Sequence, residues 1–360
     1  MKRILHCFNG LDNGGVEAFV MNVYRNIDRE KVQFDFLLRC GNRTHYWDEI
    51  ERMGGRIFVT PPYPKRAVSN YFETKKFLEK HREYETIHVH ANSLIYMYAI
   101  KIAKKLKIKN RIMHSHSTKP KKDMLVCLHK HNKKHIDKYA NIKLACSNVA
   151  GEWMFDGDFQ IINNGIDSEK FRYNEKIRNE IRNQLGIKDE VLIGNIGRFV
   201  EPKNHSFIID IFSEYKKINT KSKLLLMGFG ELESNIRNQV KLLGLEDDVI
   251  ILNDRNDACN ILQAVDVFLF PSKFEGLGIS LVEAQASGLP CLVSDNIPKE
   301  AIFDNRVDVL SLDENKSVWA NKLDILCKSN YKREVGADIV KANNYDISNT
   351  CKQLIQIYSR

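Results

Sequence analysis

Strand-length apolar runs alternate with helix-length segments along the whole chain, and the series runs twice. In the first series "RILHCF", "QFDFLL", "RIFVT", "TIHVH", "RIMHS" and "IKLACS" are separated by helical patterns such as "GVEAFVMNVYRNI" and "SLIYMYAIKIAKKL". In the second, "VLIGNIG", "KLLLMG", "DVIIL", "DVFLF" and "CLVS" follow helix-like partners. Such alternation means parallel sheets covered on both faces by crossover helices. Two series predict an α/β chain of two Rossmann-like, doubly wound domains. Ligands are expected at the carboxyl ends of the strands and in an interdomain cleft.

A length of 360 residues accommodates two such domains. The join is expected in "NNGIDSEKFRYN", where Gly165 interrupts the pattern. The expected domains are therefore 1–165 and 166–342, followed by a helix at 343–360 that packs back on the first domain. With 43% hydrophobic and 28% charged residues the balance is that of a globular chain, which excludes a low-complexity or disordered one. "MKRILHCFNG" reads as a first strand rather than a signal peptide. No apolar segment reaches the ~18 residues of a transmembrane helix. The eight cysteines are scattered and form no CxxC pair, which suits buried free thiols in a reducing cytoplasm.

The net charge of +9 is unevenly placed. Residues 1–165 carry 29 lysines and arginines against 17 acids, whereas residues 166–360 carry 26 against 29. Nearly all the excess lies in 101–143, where 14 basic residues face only Asp123 and Asp137. One half of the molecule is thereby suited to an anionic partner, or is simply well solvated.

Three motifs stand at strand ends. "FNGLDNGGVEAFVMNV" follows the first strand and opens a helix, so Gly14 and Gly15 form a tight turn with bare amides that favour an anion. It is not the G-x-G-x-x-G dinucleotide fingerprint, and "GFGELE" also departs from it, with Glu233 where the third glycine belongs. "NIGRFVEPKNHSFIID" places Arg198 and Lys203 just beyond a strand, a guanidinium fork and a point-charge ammonium that suit a diphosphate. "KFEGLGISLVEAQASGLPCLVSD" places Glu275 beside Gly276 and Gly278, with Glu283 eight residues on amid Leu281, Val282, Ala284 and Ala286.

In this order the three motifs resemble those of the retaining, metal-independent glycosyltransferases of two-Rossmann (GT-B) architecture, family 4-like. The nearest subgroup makes bacterial capsular and exopolysaccharides. The likeness extends through "LACSNVAGEWMF", "INNGIDSEKF" and "MGFGELE" and is strongest between residues 145 and 300. It implies that Glu275 holds hydroxyls of the transferred sugar and that Glu283 accepts both ribose hydroxyls. The backbone at Leu277 and Gly278 would meet the donor and its phosphates, and Arg198, Lys203 and the Gly15 amide would neutralise the departing diphosphate. His116 matches the family histidine that contacts the donor sugar, so Glu275 and His116 are the expected catalytic pair. His114 reads as structural, and His88 and His90 are placed at the acceptor region.

The implied donor is a nucleotide-sugar, UDP-linked by preference, with no other cofactor and no metal. The acceptor attacks from the leaving-group face, configuration is retained, and the leaving phosphate takes the acceptor's proton. Asp156-Gly157-Asp158 is the one Asp-x-Asp match; it reads as a loop. No other cluster has metal-ligand spacing. Residues Lys121–Tyr139 read as a cationic amphipathic helix, with Met124, Leu125, Leu128, Ile136 and Tyr139 on one side, suited to an anionic membrane. The expected partners are the donor, a lipid-diphosphate-linked saccharide acceptor and the membrane surface, at the cytoplasmic face. Two readings compete with this one. A nucleotide-sugar epimerase of similar fold leaves the spacing of Glu275 and Glu283 unexplained. A nucleic-acid-binding protein would need aromatic interleaving or a reading motif that the basic stretch lacks.

Overall fold

The structure is a computed structural model and describes residues 1–11, 15–116, 126–253, 255 and 257–360. The first sheet contains β1 (Lys2–Phe8), β2 (Val32–Leu38), β3 (Ile57–Val59), β4 (Thr86–Ala91), β5 (Asn110–Ser115), β6 (Ile142–Ala145) and β7 (Gln160–Ile161). The second contains β8 (Val191–Ile196), β9 (Ser222–Met227), β10 (Val249–Leu252), β11 (Val267–Phe270), β12 (Cys291–Ser294) and β13 (Val307–Leu310). β7 is the short strand that follows "MFDGDF" in the sequence, and β13 is additional to the strands read there. The first is two residues long, and the second is a half-exposed strand at the end of its sheet.

All pairings are parallel, in the orders β3-β2-β1-β4-β5-β6-β7 and β10-β9-β8-β11-β12-β13. Each order reverses once, between β1 and β4 and between β8 and β11. Loops leaving such a switch point diverge to opposite sides of the sheet and leave a crevice at the strand carboxyl ends. The strands are apolar because helices cover both faces. Asp35, a fully buried acid in β2, is one exception, and it is satisfied. Arg3 Nε and Nη2 donate to its two oxygens at 2.6 and 2.5 Å, with further bonds from the Tyr84 hydroxyl (2.8 Å) and the Arg56 amide (2.8 Å).

The chain divides into two units, Met1–Gly165 with Ile347–Arg360, and Ile166–Asp346. The terminal helix, Ile347–Tyr358, buries Cys351, Leu354, Ile357 and Tyr358 in the same core as Phe19 and Val23 of the helix Gly15–Asn26. Each such fully buried aliphatic side chain contributes about 1.5–3 kcal/mol. The unit boundary lies at 346, not 342. The Ile166 amide donates to the Tyr345 carbonyl (2.8 Å) and the Ser168 hydroxyl to Asp346 Oδ2 (2.5 Å), which keeps 343–346 with the second unit.

The amphipathic helix expected over Lys121–Tyr139 is a shorter element. Its predicted start, with Met124 and Leu125, lies outside the described residues. The helix Val126–Lys133 is followed by a separate 3-10 turn, Ile136–Lys138. Its inner face is used within the unit. His129 Nδ1 accepts from the Leu94 amide (2.9 Å), Asn132 Nδ2 donates to the Leu94 carbonyl (2.7 Å), and Ile136 is core. Exposed in this segment are Lys130, His131, Lys134, Asp137 and Lys138, with Cys127, and Lys104 and Lys105 are exposed on the helix Tyr98–Lys105. Among the described residues no helix is long and apolar enough to cross a membrane. All eight cysteines are free. Four are buried, three are half-buried and, against expectation, Cys127 is exposed.

Candidate active site

The second sheet's switch point assembles the two motifs. Arg198 and Lys203 follow β8, Glu275 follows β11, and these strands pair with Ile193 opposite Val267. The two loops are tied together. Asn204 Nδ2 donates to the Pro271 carbonyl (3.1 Å), the Lys273 amide to the Pro202 carbonyl (2.8 Å), and Lys273 ion-pairs with Glu201. Lys203 Nζ donates to Glu275 Oε1 at 2.7 Å and lies 5.1 Å from the Phe270 ring centroid. Residue chemistry assigned Lys203 to a diphosphate and the family resemblance implied a sugar for Glu275; the fold pairs them with each other. Arg198 is exposed and has no side-chain partner among the described residues.

A third loop braces this arrangement. In "GFG", a Cβ at Gly228 would lie 1.9 Å from the Gly197 carbonyl oxygen, so only glycine permits the approach. The Phe199 amide donates to the Phe229 carbonyl (2.8 Å) and the Leu232 amide to the Phe199 carbonyl (3.0 Å), holding the loop that carries Arg198. Local sequence marks "GFG" as a turn but does not reveal what it touches.

Gly278 takes φ = 86°, a left-handed conformation natural to glycine, and starts the helix Ile279–Ala286. Leu277 turns its side chain into the core, leaving only its backbone for a donor. Glu283 sits on that helix. Its carboxyl is pushed up to about 7 by lack of hydration, with no charged group offsetting it. The residue keeps part of its surface, so the carboxylate is poorly hydrated rather than sealed off. It makes no side-chain hydrogen bond among the described residues. Burying an unpaired carboxylate costs stability, which makes Glu283 a candidate ligand-binding group.

In the first unit Gly15 opens its helix directly after β1 and is exposed; Gly14 lies outside the described residues. The histidines form a network that spacing did not disclose. His6 Nδ1 and His90 Nε2 share a hydrogen bond (2.9 Å), as do His90 Nδ1 and His116 Nε2 (2.8 Å). A second chain joins the Tyr358 hydroxyl, His88 and His114 at 2.8 and 3.2 Å. Burial pushes His6 and His116 down to about 3 and the other three well below their usual value, so all five rings are neutral. His116 thus stands at the end of β5 as a neutral imidazole whose Nδ1 is buried without a partner. His88 is not at an open acceptor surface; it is fully buried against the terminal helix.

No cluster had metal-ligand spacing in the sequence, yet the fold brings histidines together. The groups His6–His88–His90 and His90–His114–His116 each hold their ligand atoms within 4.8 Å. Tetrahedral zinc with Zn–N of 2.0–2.1 Å sets its nitrogens about 3.3 Å apart. The His6–His90 and His90–His116 nitrogens, at 2.9 and 2.8 Å, are hydrogen-bonded instead. The rings of His88 and His90 are stacked, with centroids 4.1 Å apart, which does not make their lone pairs converge. Asp156 and Asp158 lie in a loop, where Asp156 pairs with Lys133 at 3.0 Å.

Residues 177–341 match the family of glycosyl transferases group 1. Over 99% of this chain and 96% of the relative, the sequence is 32% identical to a putative glycosyltransferase, EpsF, of Bacillus subtilis. The chain belongs to the group 1 glycosyltransferases. A further relative of this transferase is the capsular polysaccharide biosynthesis glycosyltransferase CapH of Staphylococcus aureus, 25% identical over 99% of both chains. In fold the transferase is similar to Anabaena HepE, solved in complex with UDP, with a TM-score of 0.83 over the full length of both chains at 17% identity. The fold is GT-B, and family membership removes the epimerase and nucleic-acid readings.

Proposed function

We propose that this transferase moves a sugar from a UDP-linked donor, with retention and without a metal ion. The proposed acceptor is a lipid-diphosphate-linked saccharide, in capsular or exopolysaccharide synthesis at the cytoplasmic face of the membrane. The observation that carries the reading is Glu283. It is an unpaired, poorly hydrated carboxylate on the helix that Gly278 starts, and two ribose hydroxyls are the partners its oxygens lack. The capsular name of one relative and the UDP bound to the similar structure agree with it.

In this reading Arg198, Lys203 and the amides at Leu277, Gly278 and Gly15 receive the diphosphate. The anomeric C–O bond to phosphate breaks, and these groups stabilise the charge that develops on the leaving oxygen. Lys203 turns to the phosphate, which frees Glu275 for the sugar hydroxyls. The acceptor oxygen bonds to the anomeric carbon on the face the phosphate leaves, and its proton passes to the leaving phosphate oxygen. Neutral His116 supplies a polar ring beside the sugar without adding charge. No side chain needs to act as a base. The exposed lysines of the first unit face the anionic membrane.

The test is UDP release from UDP-glucose, UDP-galactose and their N-acetyl forms, with undecaprenyl-diphosphate-linked sugars as acceptors. Acceptor-dependent release with an α-linked product is expected from the matching donor. A protein that binds no uridine nucleotide in calorimetry would overturn the reading.

A further inference from the structure

The first sheet has its own switch point, and a cavity of about 320 Å³ opens there. It is lined at the ends of β1, β2 and β4, by Asn9, Arg39 and Ser93 among others, and walled by Tyr63 and Tyr96. Arg39 is the unusual member. Its guanidinium lies 4.0 Å from the Tyr96 ring centroid, and its Nε is buried with no hydrogen-bond partner. Burial holds it below its usual value, with only weak opposing help from Tyr96, Cys7 and Tyr63. No carboxylate among the described residues forms an ion pair with it.

An arginine cannot escape burial by losing its proton. A cation–π contact offsets a part of that cost and leaves donors without acceptors. The missing partner is therefore an anion, and a fork of donors suits the paired oxygens of phosphate or carboxylate. Tyr63 meets the buried Tyr96 edge to face, with centroids 5.3 Å apart, and adds an aromatic wall beside the guanidinium. The volume is that of a small-ligand site. We propose that this cavity binds an anionic group, phosphate or carboxylate, carried by the sugar acceptor, with Arg39 as the residue that recognises it. The inference rests on the transferase reading above and names the chemical class of its acceptor.

The test uses protein saturated with UDP, so that the donor loops are filled, and titrates glucose 1-phosphate, glucuronate and glucose by calorimetry. Both anions are expected to bind at least tenfold more tightly than glucose. Arg39→Gln should lose at least tenfold in anion binding while keeping its UDP affinity, which also shows that it is folded. In wild type, phenylglyoxal modification of Arg39, mapped by mass spectrometry, should be slowed by either anion. Preference for one anion identifies a phosphorylated or an acidic-sugar acceptor. Equal binding of glucose and the anions, anion binding unchanged in Arg39→Gln, or no protection of Arg39 would each overturn the inference. Failure to bind UDP would instead count against the donor reading, with the anion titrations still interpretable.

Discussion

Lys203 Nζ donates to Glu275 Oε1 at 2.7 Å, joining the loops after β8 and β11 across 72 residues of sequence. The pair is largely shielded, with 20% and 8% of the two side chains exposed. The two charges neutralise each other; under the proposed function they serve different parts of a donor, which separates them.

Glu275→Gln should therefore split binding from turnover. The released ammonium remains free for a diphosphate, so UDP affinity should hold or rise. Transfer should fall by about 10²-fold or more, because the sugar loses its charged partner. Calorimetry and steady-state rates measure the two separately. A parallel loss of UDP affinity would show that the glutamate is part of the nucleotide site.

Glu283→Ala should weaken UDP binding by about 1–3 kcal/mol through lost charge-assisted hydrogen bonds. In the wild type the carboxyl, raised to about 7, must be ionised to accept the ribose hydroxyls. Bound nucleotide stabilises the charged form and so lowers that value. UDP-glucose affinity should therefore drop by up to about tenfold per pH unit below 7 and level off above it. Proton release on binding, seen by calorimetry in buffers of different ionisation enthalpy, provides the check.

Acid should destabilise the protein steeply. Each buried imidazole has a folded value below its unfolded one of about 6.5, so the unfolded chain takes up more protons as pH falls through that point. Stability present above pH 6.5 is lost below it, by up to about 1.4 kcal/mol per pH unit for each of five rings. Glu283 works the other way, since its raised value favours folding as pH falls from 7 to 4.5, but it is one group against the five clustered rings and the buried His129 and His205, which are also lowered. Thermal unfolding from pH 8 to 5 should show a falling Tm. A flat profile would mean that the rings are hydrated.

Transfer should survive a chelator. The proposed leaving-group site uses Arg198 and Lys203, and the two histidine groups are joined by hydrogen bonds. Activity lost in EDTA and restored by magnesium, manganese or zinc would point back to His90, His114 and His116.

Binding to phosphatidylglycerol vesicles should depend wholly on charge. Lys104 donates to the Lys138 backbone carbonyl, both lysines are exposed, and Ile136 is unavailable to lipid. The Debye length falls from about 10 Å at 0.1 M salt to about 3 Å at 1 M. Sedimentation with vesicles should therefore be abolished at high salt and reduced by Lys104, Lys105, Lys134 and Lys138→Glu, with UDP affinity unchanged. Salt-resistant binding would implicate an apolar contact.

The strand–helix alternation determined the two parallel-sheet domains, because side-chain periodicity is a local property and parallel strands must be apolar on both faces. The terminal helix was legible from its stripe for the same reason. So was Gly278, because a glycine turn before an apolar helix is written in adjacent residues. Only the tertiary structure decided which charges meet. Lys203 and Glu275 lie far apart in the chain, and their contact depends on β8 and β11 being neighbours. The five histidines come from three strands whose order, β1-β4-β5, leaves no trace in spacing. Arg39 looked like any arginine at a strand end until the fold buried its Nε and supplied no counter-charge among the described residues. Burial and proximity arise from packing the whole chain, and no window of sequence contains them.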